Sequence, residues 1–204
     1  MSRGIDVSHH NGIVDWALVA GAGIEFAYVK ATQGSKYVDP RFVANLSGAS
    51  AAGLQHGVYH YLTPGDQASD QANHFLTLIQ DRVGQLPPAV DVEPTFSYPG
   101  GPDLWLEVPL QDRVAKIVKF CSAVQQATGV VPMLYASPSF VTDMLGSDSQ
   151  LGRYWLWVAE YGVSAPRIPA PFDRYSCWQY SESGSVDGAG TGVDLDIWNG
   201  LPGS

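Results

Sequence analysis

The sequence predicts an α/β fold built as a single TIM-like (β/α) barrel of about eight strands, with helices missing near the C-terminal end. Three observations support this prediction. Short apolar or β-branched runs alternate with helical patterns along most of the chain, and several runs are apolar at nearly every position. The last two runs follow one another without a helical pattern between them. An open doubly wound sheet is the alternative.

Eight segments are typical of buried strands, because they are rich in β-branched and aromatic residues and are bounded by Gly, Pro or polar residues. They cover residues 4–8, 24–31, 57–62, 88–93, 130–136, 154–160, 175–180 and 193–198. Helical patterns predict helices over 39–53, 66–82 and 109–128, and a shorter helix after Ser137-Pro138.

The composition favours one globular domain over residues 1–204, without a separate cell-wall-binding domain. The chain has 204 residues, and no stretch resembles an interdomain linker. A net charge of −9 argues against nucleic acid as a partner, since phosphate binding needs clustered Lys and Arg. No apolar run approaches the ~18 residues of a membrane span. We therefore expect no stable membrane insertion and, without a signal-like N-terminus, synthesis in the cytoplasm.

Acidic residues recur in the predicted strands. Asp6 lies in the first strand, Asp91 and Glu93 end the fourth, and Asp194 and Asp196 lie in the last. In a (β/α) barrel the C-terminal ends of the strands meet at one opening, and the first and last strands are neighbours. The sequence therefore predicts that these acids gather over one opening. The motifs that contain them have no basic residue.

A cluster of carboxyl groups can bind a hard cation or cleave a glycosidic bond. Aromatic residues in the predicted strands favour a sugar substrate, because flat rings stack on pyranose rings. The predicted substrate contacts are Tyr28, Tyr59, Tyr61, Tyr135, Trp157, Tyr161, Trp178 and Asp196. We expect the long aromatic loop after Glu93 to form a wall of the cleft.

Other residues suggest metal or cofactor sites but lack the required spacing. The adjacent His9 and His10 point apart in a strand or turn, and His56 and His60 do not share a helical face. The glycine-rich segment 20–26 precedes a strand, so it does not form a phosphate loop. Cys121 and Cys177 are expected to be buried free thiols. We therefore expect no metal ion and no cofactor.

Several motifs together resemble one known family. GIDVSHHNGIVDW, FAYVKATQG, YVDPRFVAN, AAGLQHGVYHYLTP, VDVE, LWVAEY, WQYS and VDLDIWNG occur in the order and spacing of the family 25 glycoside hydrolases. These are the Chalaropsis-type lysozymes, which include many phage endolysins. The resemblance implies a flattened barrel and cleavage of the β-1,4 bond between N-acetylmuramic acid and N-acetylglucosamine. It also implies peptidoglycan as the partner, a monomer, and action on the cell wall after release.

The resemblance also implies roles for individual acids. Glu93 corresponds to the general acid, and Asp91, Asp6 and Asp194 to the other acids of the family's active site. Asp91 is expected to act as a nucleophile or base, or to orient the substrate's acetamido group. Asp196 stands where the family usually has Asn, and its charge is expected to raise the pKa of a neighbouring acid.

Glu93 must hold a proton to act as an acid, although its ordinary pKa is about 4.3. We therefore expect burial and the charge of Asp91 to raise the pKa of Glu93. Two other functions remain open from the residues alone. A non-catalytic glycan-binding module would use the same aromatic residues, and a metal-dependent hydrolase would use the same acids as ligands.

Overall fold

The computed structural model describes residues 1–80 and 82–200, and these residues form a closed barrel of eight strands. The barrel strands are β1 (Ser2–Val7), β2 (Phe26–Gln33), β4 (Gln55–Tyr61), β5 (Ala89–Asp91), β6 (Met133–Ala136), β7 (Trp155–Ala159), β8 (Cys177–Val186) and β9 (Gly190–Trp198). A short strand, β3 (Tyr37–Val38), pairs with the outer end of β2. Because β1 pairs with both β2 and β9, the sheet closes on itself. The predicted barrel is confirmed, and the open sheet is excluded.

The strands from β1 to β8 run parallel to their neighbours around the barrel, whereas β9 runs antiparallel to both β8 and β1. This arrangement confirms that the C-terminal end of the chain lacks a helix between strands. The last two strands form a hairpin that is longer than predicted. Their polar extension, SESGS, is not apolar enough to be recognised as a strand.

The helices surround the barrel. They are α1 (Trp16–Gly21), α2 (Phe42–Ala51), α3 (Ala68–Ile79), α4 (Leu110–Thr128) and α5 (Pro138–Phe140), which continues as a π-helical stretch (Val141–Leu145). The predicted helices 39–53, 66–82 and 109–128 correspond to α2, α3 and α4, although position 81 lies outside the described residues. The six-residue α1 was missed because it is too short for a clear periodicity. No helix among the described residues is long and apolar enough to cross a lipid bilayer.

Side chains alternate between two cores. One core lies between the barrel and the helices, and the other fills the barrel itself. On β2 the residues Phe26, Tyr28 and Lys30 share the inner face, because residues two apart in a strand point the same way. Phe26 and Tyr28 are fully buried, and Lys30 lies at the open end. The inner face of β2 therefore changes from an apolar floor to a charged opening.

Gly57 on β4 makes room for Tyr28. A Cβ atom at Gly57 would lie 2.4 Å from Cε1 of the Tyr28 ring. We expect Gly57→Ala to reduce the free energy of unfolding by about 1–3 kcal/mol, as overpacking of a core does. Chemical denaturation measures this loss. The matched control is Gly21→Ala in α1, where the added Cβ meets nothing within 4 Å. Equal stability of the two variants would contradict the packing.

Candidate active site

A pocket of about 380 Å³ opens at the C-terminal ends of the parallel strands. The four predicted catalytic acids, Asp6, Asp91, Glu93 and Asp194, all line it. Asp6 on β1 lies directly opposite Asp194 on the antiparallel β9, so these two acids face each other across neighbouring strands. The predicted gathering of acids at one opening is therefore what the topology produces.

Five of the predicted aromatic residues also line the pocket: Tyr59, Tyr61, Tyr135, Trp157 and Tyr161. The rings of Tyr135 and Trp157 meet edge to face, with centroids 5.1 Å apart. Such packing fixes the orientation of these two buried rings, whereas Tyr61 and Tyr161 are the more exposed rings at the pocket. This combination of fixed rings and carboxyl groups suits a sugar.

Three predicted contact residues do not line the pocket, and their expected positions are wrong. Tyr28 lies one layer below it, where its hydroxyl donates to the carbonyl of Pro87 at 2.9 Å. Trp178 points out of the barrel, because its strand neighbours Cys177 and Gln179 point in. Asp196 points into the barrel but is fully buried beneath the pocket.

Lys30 is a pocket residue that the sequence analysis missed. It is 7% exposed, donates to Oε1 of Gln33 at 2.9 Å, and lies 4.8 Å from the centroid of the Tyr61 ring. It comes from β2, outside the acidic motifs, and supplies a positive charge among the carboxyl groups. Its position two residues after Tyr28 on the inner face is the signal that could have identified it. Other missed lining residues are Ser8, His10, Gln33, Gln179 and Glu182.

Gln179 connects the tyrosines to Asp6. Its Oε1 accepts hydrogen bonds from the hydroxyls of Tyr135 at 2.8 Å and Tyr161 at 2.5 Å. These two donors fix the orientation of the amide, so that Nε2 donates to Oδ2 of Asp6 at 2.7 Å. The Asp6 carboxyl group is therefore held in place by a neutral side chain that is itself held in place.

The loop after Glu93 supports the site from behind. None of residues 94–109 lines the pocket, so the predicted cleft wall is wrong. Instead, the buried Trp105 donates from Nε1 to the carbonyl of Glu93 at 3.0 Å. The hydroxyl of Tyr61 donates to the carbonyl of Pro94 at 3.1 Å. The loop fixes the backbone that carries the Glu93 carboxyl group.

Burial raises the pKa of Glu93 to about 7, with smaller contributions from Asp194 and Glu182, while the charge of Lys30 opposes the rise. Burial, followed by repulsion from Glu93, raises the pKa of Asp91 well above its ordinary range. The expected repulsion between the two acids thus raises the pKa of Asp91 rather than that of Glu93. Because they repel each other, the two carboxyl groups lose their protons in steps that belong to the pair.

The histidines and cysteines near the site do not form a metal centre among the described residues. Within the described ranges, no group of three or more His, Cys, Asp or Glu side chains has the arrangement of a metal site. His10 lines the pocket, whereas Nδ1 of His9 lies 2.9 Å from Oδ2 of Asp39. Cys121 and Cys177 are both buried free thiols, as predicted. The groups available for chemistry in the pocket are therefore mainly carboxyl groups.

Comparisons with known proteins agree with this geometry. The family model described as "Glycosyl hydrolases family 25" matches residues 5–189. The chain is 35% identical to Lysozyme M1 of Streptomyces globisporus, over 97% of this chain and 68% of that protein. It is 30% identical to the N,O-diacetylmuramidase of Chalaropsis sp, over 97% of this chain and 96% of that protein. The crystal structure of the bacterial lysozyme from Streptomyces coelicolor has a TM-score of 0.88 at 33% identity, covering 98% and 93% of the two chains.

The charge of Lys30 provides a test of the electrostatics. Lys30→Met keeps most of the apolar stem and removes the positive charge that lowers the pKa of Glu93. We therefore expect the pKa of Glu93 to rise above its value of about 7. A ¹³C NMR titration of the glutamate carboxyl groups measures this shift. The control is Lys36→Met, which removes an exposed charge from the β2–β3 turn. An unchanged or lower pKa in Lys30→Met would contradict the assignment.

Proposed function

The chain belongs to the glycosyl hydrolases of family 25, and from this premise we propose how its pocket cleaves peptidoglycan. The protein is a muramidase, which hydrolyses the β-1,4 bond between N-acetylmuramic acid and N-acetylglucosamine. In our proposal Glu93 is the general acid, and Asp91 orients the acetamido group of the muramic acid. Asp6 and Asp194 supply the other carboxyl groups beside them in the pocket.

One observation supports the role of Glu93 above the others. Its carboxyl group is both buried enough to have a pKa of about 7 and open to the pocket. An acid with a pKa of about 7 is about half protonated at pH 7 and mostly protonated at lower pH, so it can donate a proton to the leaving oxygen. Its backbone is fixed by Trp105, so the proton has a defined direction.

The surroundings of Asp91 favour orientation of the substrate over direct attack. Oδ1 of Asp91 is buried, and among the described residues no group donates a hydrogen bond to it. Asp91 also lines the pocket, so the part of its carboxyl group that faces the pocket can accept a hydrogen bond from an N–H group of the substrate. The acetamido group beside the anomeric carbon has one N–H group and one carbonyl oxygen. When the N–H donates to Asp91, the carbonyl oxygen can face the anomeric carbon.

The reaction then follows in two steps. Glu93 gives its proton to the glycosidic oxygen as the bond to the anomeric carbon breaks, and the acetamido oxygen forms a bond to that carbon. In this step Asp91 is the ionised member of the pair, a form that the charge of Lys30 favours, and it stabilises the positive charge that develops on the acetamido nitrogen. In the second step Glu93, now ionised, takes a proton from water as the water oxygen attacks the anomeric carbon. The bond between the acetamido oxygen and the anomeric carbon then breaks, which restores the acetamido group, and Glu93 is protonated again.

Neighbouring charged groups shift the pKa values of the acids that take part in this cycle. Burial and the nearby Glu182 raise the pKa of Asp194 to about 6. Lys30 lowers the pKa of both Glu93 and Asp91, so it favours the negative charge that the second step needs. The more exposed rings at the pocket, Tyr61 and Tyr161, provide flat surfaces for the sugars.

We also propose that residues 1–204 make up one catalytic domain, since the strands of one barrel, between residues 2 and 198, carry all the proposed groups. The monomeric state, the lack of binding to nucleic acid or membranes, and the site of action outside the cytoplasm stay predictions.

Loss of the acid tests the function directly. We expect wild-type protein to release fragments from purified peptidoglycan with new reducing ends at N-acetylmuramic acid. Mass spectrometry of digests made in ¹⁸O-labelled water identifies the cleaved bond. Glu93→Gln keeps the shape of the side chain but lacks the acidic proton, so we expect lysis to fall by about 10²–10⁴-fold.

The matched control for this variant is Glu107→Gln, which changes an exposed glutamate in the loop after β5. It should retain wild-type activity. Full activity of Glu93→Gln would remove Glu93 from the role of acid. Binding of glycan without any new reducing ends in wild-type digests would favour a non-catalytic module instead.

A second substitution separates the two roles of Asp91. Asp91→Asn removes the charge that stabilises the developing positive charge, and we expect kcat to fall by about 10²–10⁴-fold. Peptidoglycan whose muramic acid lacks the N-acetyl group should resist wild-type protein, because it cannot supply the acetamido oxygen. Peptidoglycan treated in parallel to remove only O-acetyl groups is the control. A covalent sugar adduct on Asp91, detected by mass spectrometry of the intact protein, would show direct attack.

A further inference from the structure

Asp196 is a buried carboxyl group without a place in the pocket. It lies on β9, is 0% exposed, and does not line the pocket. Its Oδ1 accepts a hydrogen bond from Nε1 of Trp157 at 2.8 Å and lies 3.9 Å from Sγ of Cys177. Its Oδ2 is buried too, and within the described part of the chain no N–H or O–H group donates to it. This unpartnered oxygen needs an explanation, because a buried acceptor without a donor is costly.

Asp6 lies on the same inner face of the barrel as Asp196, on the neighbouring strand β1. Across the β1–β9 pair, Asp6 is opposite Asp194 and Gly4 is opposite Asp196, which makes Asp6 and Asp196 diagonal neighbours on the inner face. Both side chains point into the barrel, and repulsion from Asp196 is among the causes that raise the pKa of Asp6, so the two carboxyl groups lie close together. Two ionised carboxylates have no proton to form a hydrogen bond between them, whereas a carboxyl and a carboxylate do.

We propose that Asp6 and Asp196 share a single proton, and that through this hydrogen bond Asp196 is a positioning residue for Asp6. The catalytic part of this inference rests on the function proposed above. The bond holds Asp6 from below, and Nε2 of Gln179 holds it from the side. Asp6 then presents one defined face to the pocket.

The groups around the pair favour one negative charge rather than none or two. Gln179 donates a hydrogen bond to Asp6, and Trp157 donates one to Asp196. These two bonds stabilise one negative charge on the pair. A second charge would add to the repulsion among neighbouring acids. The titratable groups that face the pair are Asp194 on β9, Asp91 on β5, Lys30 and Tyr28 on β2, Tyr59 on β4, Tyr135 on β6, Cys177 on β8, and Tyr161. Burial, and then repulsion from Asp196, raises the pKa of Asp6.

Two substitutions at Asp196 test the hydrogen bond. In Asp196→Asn, Oδ1 can still accept from Trp157 while Nδ2 donates to Asp6, and the net charge of the pair stays the same. We expect kcat to remain within about threefold of wild type at pH 5. In Asp196→Ala the donor is lost, and we expect kcat to fall by about 10–100-fold while KM changes by less than about threefold.

The pH dependence of stability tests the shared proton without any activity assay. A carboxyl group whose pKa is raised in the folded state contributes fully to stability below its unfolded pKa of about 3.9, and this contribution is lost as the pH rises through the folded pKa. Wild-type protein carries the proton that Asp196→Asn lacks. We therefore expect the Tm of wild type to fall relative to that of Asp196→Asn between about pH 4 and about pH 9.

The control is Asp187→Asn, the same change at an exposed aspartate in the β8–β9 turn, which should follow the wild type at each pH. Parallel Tm curves for wild type and Asp196→Asn would overturn the shared proton. A kcat as low in Asn as in Ala, or an unchanged kcat in Ala, would overturn the positioning role. If wild-type protein does not cleave peptidoglycan, the proposed function fails, and the Tm comparison still decides whether the proton is shared.

Discussion

Repulsion among buried carboxyl groups is the constraint on which the rest of this structure depends. Asp6, Asp91, Glu93 and Asp194 line one pocket, and Asp196 lies beneath it. Burial makes each negative charge costly, and proximity makes the second charge more costly than the first. The barrel can close over these groups only if most of the charge is removed, shared or matched by donors.

The protein meets this constraint mainly with neutral donors and retained protons. Lys30 supplies a positive charge at the pocket, while Gln179 and Trp157 donate hydrogen bonds to buried carboxyl groups. The burial that would destabilise these acids in a purely structural core is also the main cause that raises the pKa of Glu93 to about 7. The cost of burying the acids and the ability to protonate a leaving group therefore have the same physical origin.

Much of the site could be predicted because it follows from simple periodicities. Asp91 and Glu93 share a strand face, and the first and last strands meet in any closed barrel, which brings Asp6 to Asp194. The predicted pocket position of Trp178 is wrong because side chains alternate along a strand, and the sequence does not tell which of two adjacent residues points into the barrel. A bulge between Gln179 and Ser181 then disturbs the alternation further along β8, and Glu182 lies just beyond it.

The depth of a side chain along the barrel axis was not predictable in the same way. Tyr28 and Lys30 share one face, yet only Lys30 reaches the pocket, because the stagger between neighbouring strands sets where the interior ends. Asp196 is likewise two residues from Asp194 but one layer deeper.

The pairing of β1 with β9 also affects how the protein is made. Asp6 lies on β1, the first strand of the barrel to be synthesised, whereas Asp194 and Asp196 lie on β9, the last one. The strand that completes the barrel therefore becomes available only when synthesis of this region is nearly finished, and its pairing joins residues far apart in the chain. A nascent chain can form its early β/α units, but it cannot assemble the full ring of acids. Assembly of the proposed active site therefore requires the segment that carries β9.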